Sequence, residues 1–351
     1  MSVDARLEGI ELTALAASAQ AQEEAGYGGT WTSETSGDPF LPLVVAAEHA
    51  TEMRLGCAIA VMFARNPMST AYLAHNLQAM SHGRFVLGLG TQVKAHIERR
   101  FSMQWDRPVP RAREFVEALR TILESWQQGI PVRFEGQFYR HTLMTPFFRP
   151  QEHSYGVPPV FLAVVGVRMA EMAGEVVDGV FTHSFTTPKY LREAVVPAIR
   201  RGLDKAGRAP SDVELNCRGF VATGESDEQV EMAVSAVRVQ LAFYASTPAY
   251  RPVLDMHGWS DLGAELYQLS ASDRDDKWGV MATLVDDESF NEFAVVGQPS
   301  AVAEQVVDRF GGLANQFRFY TPYELNQALL ADIAHDIHRH QNDRPETRRV
   351  G

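Results

Sequence analysis

Cysteine is nearly absent from this chain, with Cys57 and Cys217 the only two among 351 residues. Two cysteines build no disulfide framework, and neither has a metal-ligand spacing, so a reducing cytoplasm fits. Positive charge is also short. With 32 Lys and Arg against 44 Asp and Glu, the formal net charge is −12, which argues against nucleic acid and against an anionic membrane surface as partners. No apolar run approaches the roughly 20 residues of a membrane span. The start, MSVDARLEGIEL, has neither the basic nor the apolar region of a signal peptide. No Gly-x-Gly-x-x-Gly follows the first strand, which disfavours a Rossmann dinucleotide site. No Gly-x-Ser-x-Gly elbow is present, and no histidines or carboxylates stand in a metal-ligand spacing.

What is there is a soluble, globular composition, 45% hydrophobic and 22% charged. The stretch from Gly83 to Phe101 organises it. Phe85-Val86-Leu87, bounded by glycines, reads as a buried parallel strand. Gly88 and Gly90 at its C-terminal end let a ligand approach the backbone, and a basic segment with Lys94, His96, Arg99 and Arg100 follows. Before it, strands at Val3–Leu7, Gly29–Thr32 and Arg54–Ala60 alternate with helices. Asp4 and Arg6 make the first strand a weak one. After the amphipathic helix Arg111–Gln128 come strands at Val160–Val164, Gly179–Thr182, Glu214–Ala222 and Phe317–Tyr320, again separated by helices. Eight strand–helix units predict one α/β domain over residues 1–340, a (β/α)8 TIM barrel. Two irregular insertions are expected, at about 129–159 with a small hairpin turning at Glu135-Gly136, and at about 245–287. Residues 341–351 form a polar, frayed tail.

Particular segments carry a resemblance to a known family. GRFVLGLG, RLGCAIAVMFARNPM and PPVFLAVVGVRMAEMAGEVVDGVF resemble the bacterial luciferase-like superfamily. ETSGDPFLPL, VKAHIERRF, FYRHTLMTPFF and STPAYRPVLDMHGW look like its actinobacterial branch that uses the deazaflavin coenzyme F420. The resemblance covers nearly the whole chain and implies a barrel whose mouth holds the deazaflavin ring, with FMN as the alternative cofactor. It implies a non-prolyl cis peptide at Ala58-Ile59 behind the ring and a cofactor contact at Thr91. It implies a phosphate-binding segment of Val164, Val165, Gly166, Val167 and Arg168, where Gly166 opens a helix and its N–H groups can face an anion. It also implies a homodimer. One departure stands out. Sugar-phosphate dehydrogenases of this family end strand two in Asp-His; here Glu34 and Thr35 stand there, so Thr35 cannot be the base and Glu34 keeps only the carboxylate role.

The deazaflavin's acidic tail calls for local cations, for which Arg65, Lys94, Arg99, Arg100 and Arg168 are candidates. His49, His75, His82 and His96 read as structural or solvated. His183 ends a barrel strand on the mouth side, where an ordinary histidine pKa suits proton transfer. Glu34 and His183 are therefore the catalytic candidates. Tyr250, Arg251, His257 and Trp259, in the second insertion beside Tyr244, are the substrate candidates. The reading is an F420-dependent oxidoreductase that moves a hydride between the deazaflavin C5 and a small organic substrate, which the aromatic insertions suggest is fairly apolar. The alternatives are an FMN-dependent luciferase-like monooxygenase and a non-catalytic deazaflavin-binding protein.

Overall fold

The computed structural model describes residues 1–342. Eight parallel strands form a closed ring: β1 (Ser2–Arg6), β2 (Gly29–Thr32), β3 (Arg54–Cys57), β4 (Phe85–Gly90), β5 (Val160–Val164), β6 (Gly179–Thr182), β7 (Glu214–Thr223) and β8 (Gln316–Tyr320). Each pairs with the next, and β8 closes the ring by pairing β1 through Asp4 and Arg318. The strands are short apolar runs because both faces are covered; all six residues of β4 are buried. Helices start where the sequence offers caps. Asn66 Oδ1 accepts from the Ser69 N–H at 2.9 Å ahead of the helix Pro67–Met80, and Ser226 caps Asp227–Ala245. Trp31, Val86, Phe161 and Phe181 fill the barrel interior. No helix among the described residues is long and apolar enough to cross a membrane.

Strand three is interrupted, as the resemblance implies. It stops at Cys57, the Ala58-Ile59 peptide is cis, and Ala60–Val61 resumes the pairing with β4. That detour explains Gly88 and Gly90 better than a ligand does. A Cβ at Gly88 would overlap the Cys57 carbonyl oxygen, and one at Gly90 would press on the Ile59 side chain at 2.7 Å. The space these glycines leave is taken by the neighbouring chain.

The insertions correct the sequence expectation in two ways. The second is helical, with Arg251–Met256, Ser260–Ser270 and Lys277–Leu284. Helices of two or three turns give too few periods to register in a pattern, and packing rather than propensity sustains them. A four-residue strand, Ala294–Gly297, then pairs with the end of β7 and was not anticipated. In the first insertion the hairpin pairs Phe134 with His141 and Glu135 with Arg140, so its turn is Gly136–Tyr139 and not Glu135-Gly136. The cause is Glu114 on the adjacent helix, whose carboxylate accepts from the N–H groups of Gln137, Phe138 and Tyr139 at 2.6–2.9 Å. The rest of this insertion lies against the outer helix Pro67–Met80, where Tyr72 Oη donates to the Phe148 carbonyl at 2.7 Å. Of the expected tail, residues 341 and 342 end the helix Gln327–Asn342, and 343–351 lie outside the described residues.

Candidate functional site

The strand ends bring two groups of side chains to the barrel mouth. The first gathers around His183, just past β6. Its Nδ1 accepts from the Phe185 N–H at 3.0 Å, and its Nε2 lies 3.1 Å from Tyr250 Oη. With Nδ1 used as an acceptor, the neutral ring carries its proton on Nε2 and donates it to Tyr250. The Tyr250 hydroxyl proton is then free to donate elsewhere. The rings stack at 4.6 Å, and Tyr244 meets His183 edge-on at 4.7 Å. Tyr244 Oη and Tyr320 Oη are 3.0 Å apart.

This packing changes what His183 can do. Burial first, and then the Arg218 cation, push its pKa down from 6.5 to about 3. The ordinary histidine value expected from sequence does not hold here, and the ring is a neutral hydrogen-bond donor at pH 7. Burial pushes the Tyr250 hydroxyl up to about 12, so it keeps its proton. The sign of the pH effect follows. An unfolded histidine takes a proton near 6.5 while the folded one resists until about 3, so stability is full above 6.5 and is lost as pH falls through that window. Asp4 works oppositely, since burial raises its pKa from 3.8 to about 6. Replacing the histidine isolates its share. We expect His183→Gln to weaken the acid-side fall in stability between pH 6.5 and 4, measured by urea midpoints. An unchanged slope would mean that His183 titrates normally.

The second group lines a cavity of about 550 Å³ between the ends of β1, β2, β7 and β8. Asp4, Arg6, Trp31, Ser33, Arg218, Arg318 and Tyr320 are among its walls. Asp4 is held by Trp31 Nε1 at 2.8 Å and Asn216 Nδ2 at 3.0 Å, and Arg318 Nε donates to Asn216 Oδ1 at 2.6 Å. Burial and then the neighbouring Arg218 bring Arg318 down to about 9. Arg218 lies over the Tyr320 ring at 4.0 Å, and its guanidinium has no hydrogen-bond or ion-pair partner among the described residues.

The remaining expected residues divide. Glu34 bridges to the interrupted strand: its N–H donates to the Ile59 carbonyl at 3.0 Å, Oε2 accepts from the Val61 N–H at 2.7 Å, and Oε1 pairs with Arg65 at 3.1 Å. Both oxygens are engaged, which makes it a brace for the Ala58–Val61 segment, and Arg65 is occupied with it and with Asp38. Ala58, Ile59 and Thr91 are partly exposed at the ends of β3 and β4. Ser33 Oγ donates to the Ala58 carbonyl at 3.0 Å, joining this rim to the cavity. Val164 is buried, Val165 partly so, and Gly166 caps the helix Val167–Val176, with Val167 and Arg168 exposed. A Cβ at Gly166 would meet nothing within 4 Å. The Arg168 guanidinium has no ion pair or hydrogen bond among the described residues. Of the substrate candidates only Tyr250 reaches His183. His257 bonds Thr187 Oγ1 at 2.8 Å and stacks on Trp259, while Arg251 lies over Tyr267. Arg100 donates to the Thr35 carbonyl at 2.5 Å.

Sequence reasoning missed Arg218, Arg318 and Tyr320. The available signal was charge inside short runs that had to be buried strands, Arg218 in LNCRGFV and Arg318 in FRFY. In mid-strand, an inward-facing charge in a closed barrel has only the interior or the mouth to face.

The open space at Gly166, at a helix head where N–H groups lack intrahelical partners, fits a phosphate-bearing cofactor. Comparisons with known proteins identify the family. The family model for luciferase-like monooxygenase matches residues 2–316. An uncharacterized protein of Mycobacterium tuberculosis is 49% identical over 306 residues, 87% of this chain and 89% of its own. A 5,10-methylenetetrahydromethanopterin reductase of Archaeoglobus fulgidus is 28% identical, covering 81% and 82%. Among solved structures, the coenzyme F420-dependent tetrahydromethanopterin reductase of Methanopyrus kandleri superposes with a TM-score of 0.79 at 20% identity, covering 97% of this chain and 99% of its own.

Proposed function

We propose that this chain, which belongs to the luciferase-like monooxygenase family, is an F420-dependent oxidoreductase that exchanges a hydride with a small organic substrate. Bound F420 supplies the two-electron carrier at its C5. The chain's own residues do the rest. The Ala58-Ile59 segment, braced by Glu34 and Ser33, would support the cofactor's ring. Thr91 would contact the cofactor, and the Val164–Arg168 segment would hold its phosphate at the N–H groups after Gly166. Tyr250, fixed by His183 Nε2, donates its hydroxyl proton as a hydrogen bond to the substrate atom on which charge changes. The aromatic wall of Tyr244, Tyr250 and Tyr320 keeps bulk water from the reacting face.

The observation that carries this reading is Gly166, whose open space sits at a helix head on the segment that the family resemblance assigns to the cofactor. A Cβ at Gly166 meets nothing within 4 Å, so Gly166→Val should fold and bind F420 at least tenfold more weakly, about 1.4 kcal/mol. Arg168→Ala should weaken binding less, and its effect should shrink at high salt because its contact is exposed. Fluorescence quenching at two salt concentrations, with circular dichroism as the folding control, measures both. Wild-type affinity in both variants removes the phosphate from this segment. Hydride exchange with reduced F420 should also proceed without oxygen; turnover that requires oxygen would mark a monooxygenase instead.

A further inference from the structure

The cavity beside β1, β2, β7 and β8 is lined by three arginines, Arg6, Arg218 and Arg318, and three carboxylates, Asp4, Glu8 and Glu324, yet not every arginine has a partner. Arg218 stands opposite Arg318 across the β7–β8 ladder, and Arg318 stands opposite Asp4 across β8–β1. Like charges directly opposite one another on neighbouring strands destabilise a sheet. Asp4 answers one cation, and it is already held by Trp31 and Asn216. Arg6 has its own partner, Glu8, at the rim, and Glu324 is exposed there. Arg218 is left over, a guanidinium in the cavity wall with only the Tyr320 ring beneath it. A charge taken out of water without a partner costs stability, so a fold retains one where something else supplies the partner.

We propose that this cavity is the subsite for the anionic end, a carboxylate or a phosphate, of the substrate, which is therefore a small organic anion and not an apolar molecule. Guanidinium groups form forked hydrogen bonds to either oxyanion, and the two that converge here, Arg218 and Arg318, suit one compact group. A volume of about 550 Å³ is that of a small-molecule site. Its placement serves the reaction. The wall at Tyr320 leads through Tyr244 to Tyr250, and the wall at Ser33 leads to Ala58. A substrate anchored at Arg218 thus reaches toward the Tyr250 hydroxyl on one side and the cofactor rim on the other. Part of the aromatic content that suggested an apolar substrate lies elsewhere: Phe147 and Phe148 are exposed in the first insertion, on the outer helices. That the anion is a substrate rests on the oxidoreductase reading; that an anion binds here does not.

The test uses inorganic phosphate and succinate as probes on the full chain, wild type and Arg218→Met, with thermal unfolding as the readout and sodium chloride matching ionic strength. Either probe, at millimolar concentration, should raise the wild-type midpoint, and the variant should need at least tenfold more. Without a probe the variant should be as stable as wild type or more so, because an unpartnered charge has been removed. F420 affinity, measured by fluorescence in the same variant, should stay within twofold. Equal responses of the two proteins, or no response in either, overturn the site. A tenfold loss of F420 affinity in Arg218→Met overturns it too, by giving the anion subsite to the cofactor. A probe effect confined to a wild-type protein that binds no F420 keeps the anion site and sinks the oxidoreductase reading.

Discussion

Tyr250→Phe should slow hydride exchange by about 10²–10³-fold, the usual loss when one preorganised donor to a charged transition state is removed. The change deletes a single oxygen. It leaves the stacking on His183 at 4.6 Å and the edge contact with Tyr244 in place, so folding and cofactor affinity should hold. What disappears is the acceptor for His183 Nε2 and the free hydroxyl proton. His183→Gln should give a smaller loss, because glutamine's amide can still donate to Tyr250 while losing the stacked ring. Single-turnover oxidation of reduced F420, followed optically at saturating substrate, separates this step from binding. A Tyr250→Phe rate within twofold of wild type would remove Tyr250 from the chemistry and leave the His183 pair as packing.

Gly88→Val should prevent folding, and Gly88→Ala should cost about 3 kcal/mol or more, at the upper end for overpacking. The reason is specific to the obstacle. A Cβ at Gly88 overlaps the Cys57 carbonyl oxygen and comes within 2.6 Å of the Phe181 ring. The first is backbone in a paired strand and cannot rotate away, and Cys57 Sγ also donates to the Gly88 carbonyl at 3.1 Å. The loss should appear as a lowered urea midpoint in the absence of any cofactor. It contrasts with Gly166→Val, which should leave the midpoint unchanged and act on binding alone. If Gly88→Ala unfolds at the wild-type midpoint, β3 and β4 do not approach as described.

These two glycines show where the sequence was legible and where it was not. The barrel was readable because strands such as β4, β5 and β6 are apolar runs between helix signals, and because the motifs around Gly83–Gly90 and Ala58-Ile59 resemble a known family. Glycine at the end of β4 was visible, but its reason was not. A missing side chain looks the same in sequence whether a ligand or a neighbouring carbonyl fills the space. The helices at 251–284 were lost because each is too short to show a period. The turn at Gly136–Tyr139 depends on Glu114, some 23 residues away, which local turn rules cannot see. In the site, His183 was found by its place at a strand end, yet its pKa depends on burial, to which the packed rings of Tyr244 and Tyr250 belong, and on the Arg218 cation from β7. Asp4 and Arg6 looked like flaws in a strand; with Arg218 and Arg318 they line the cavity at the mouth. Charges that break a local rule were the marks of the site.

The central claim is that the mouth of this barrel holds a deazaflavin for hydride exchange, and a side-by-side fluorescence titration of the wild-type protein with F420 and FMN tests it most directly. The account predicts saturable F420 binding, weakened at least tenfold by Gly166→Val, with FMN binding far weaker. Tight FMN binding together with no binding of F420 would contradict it.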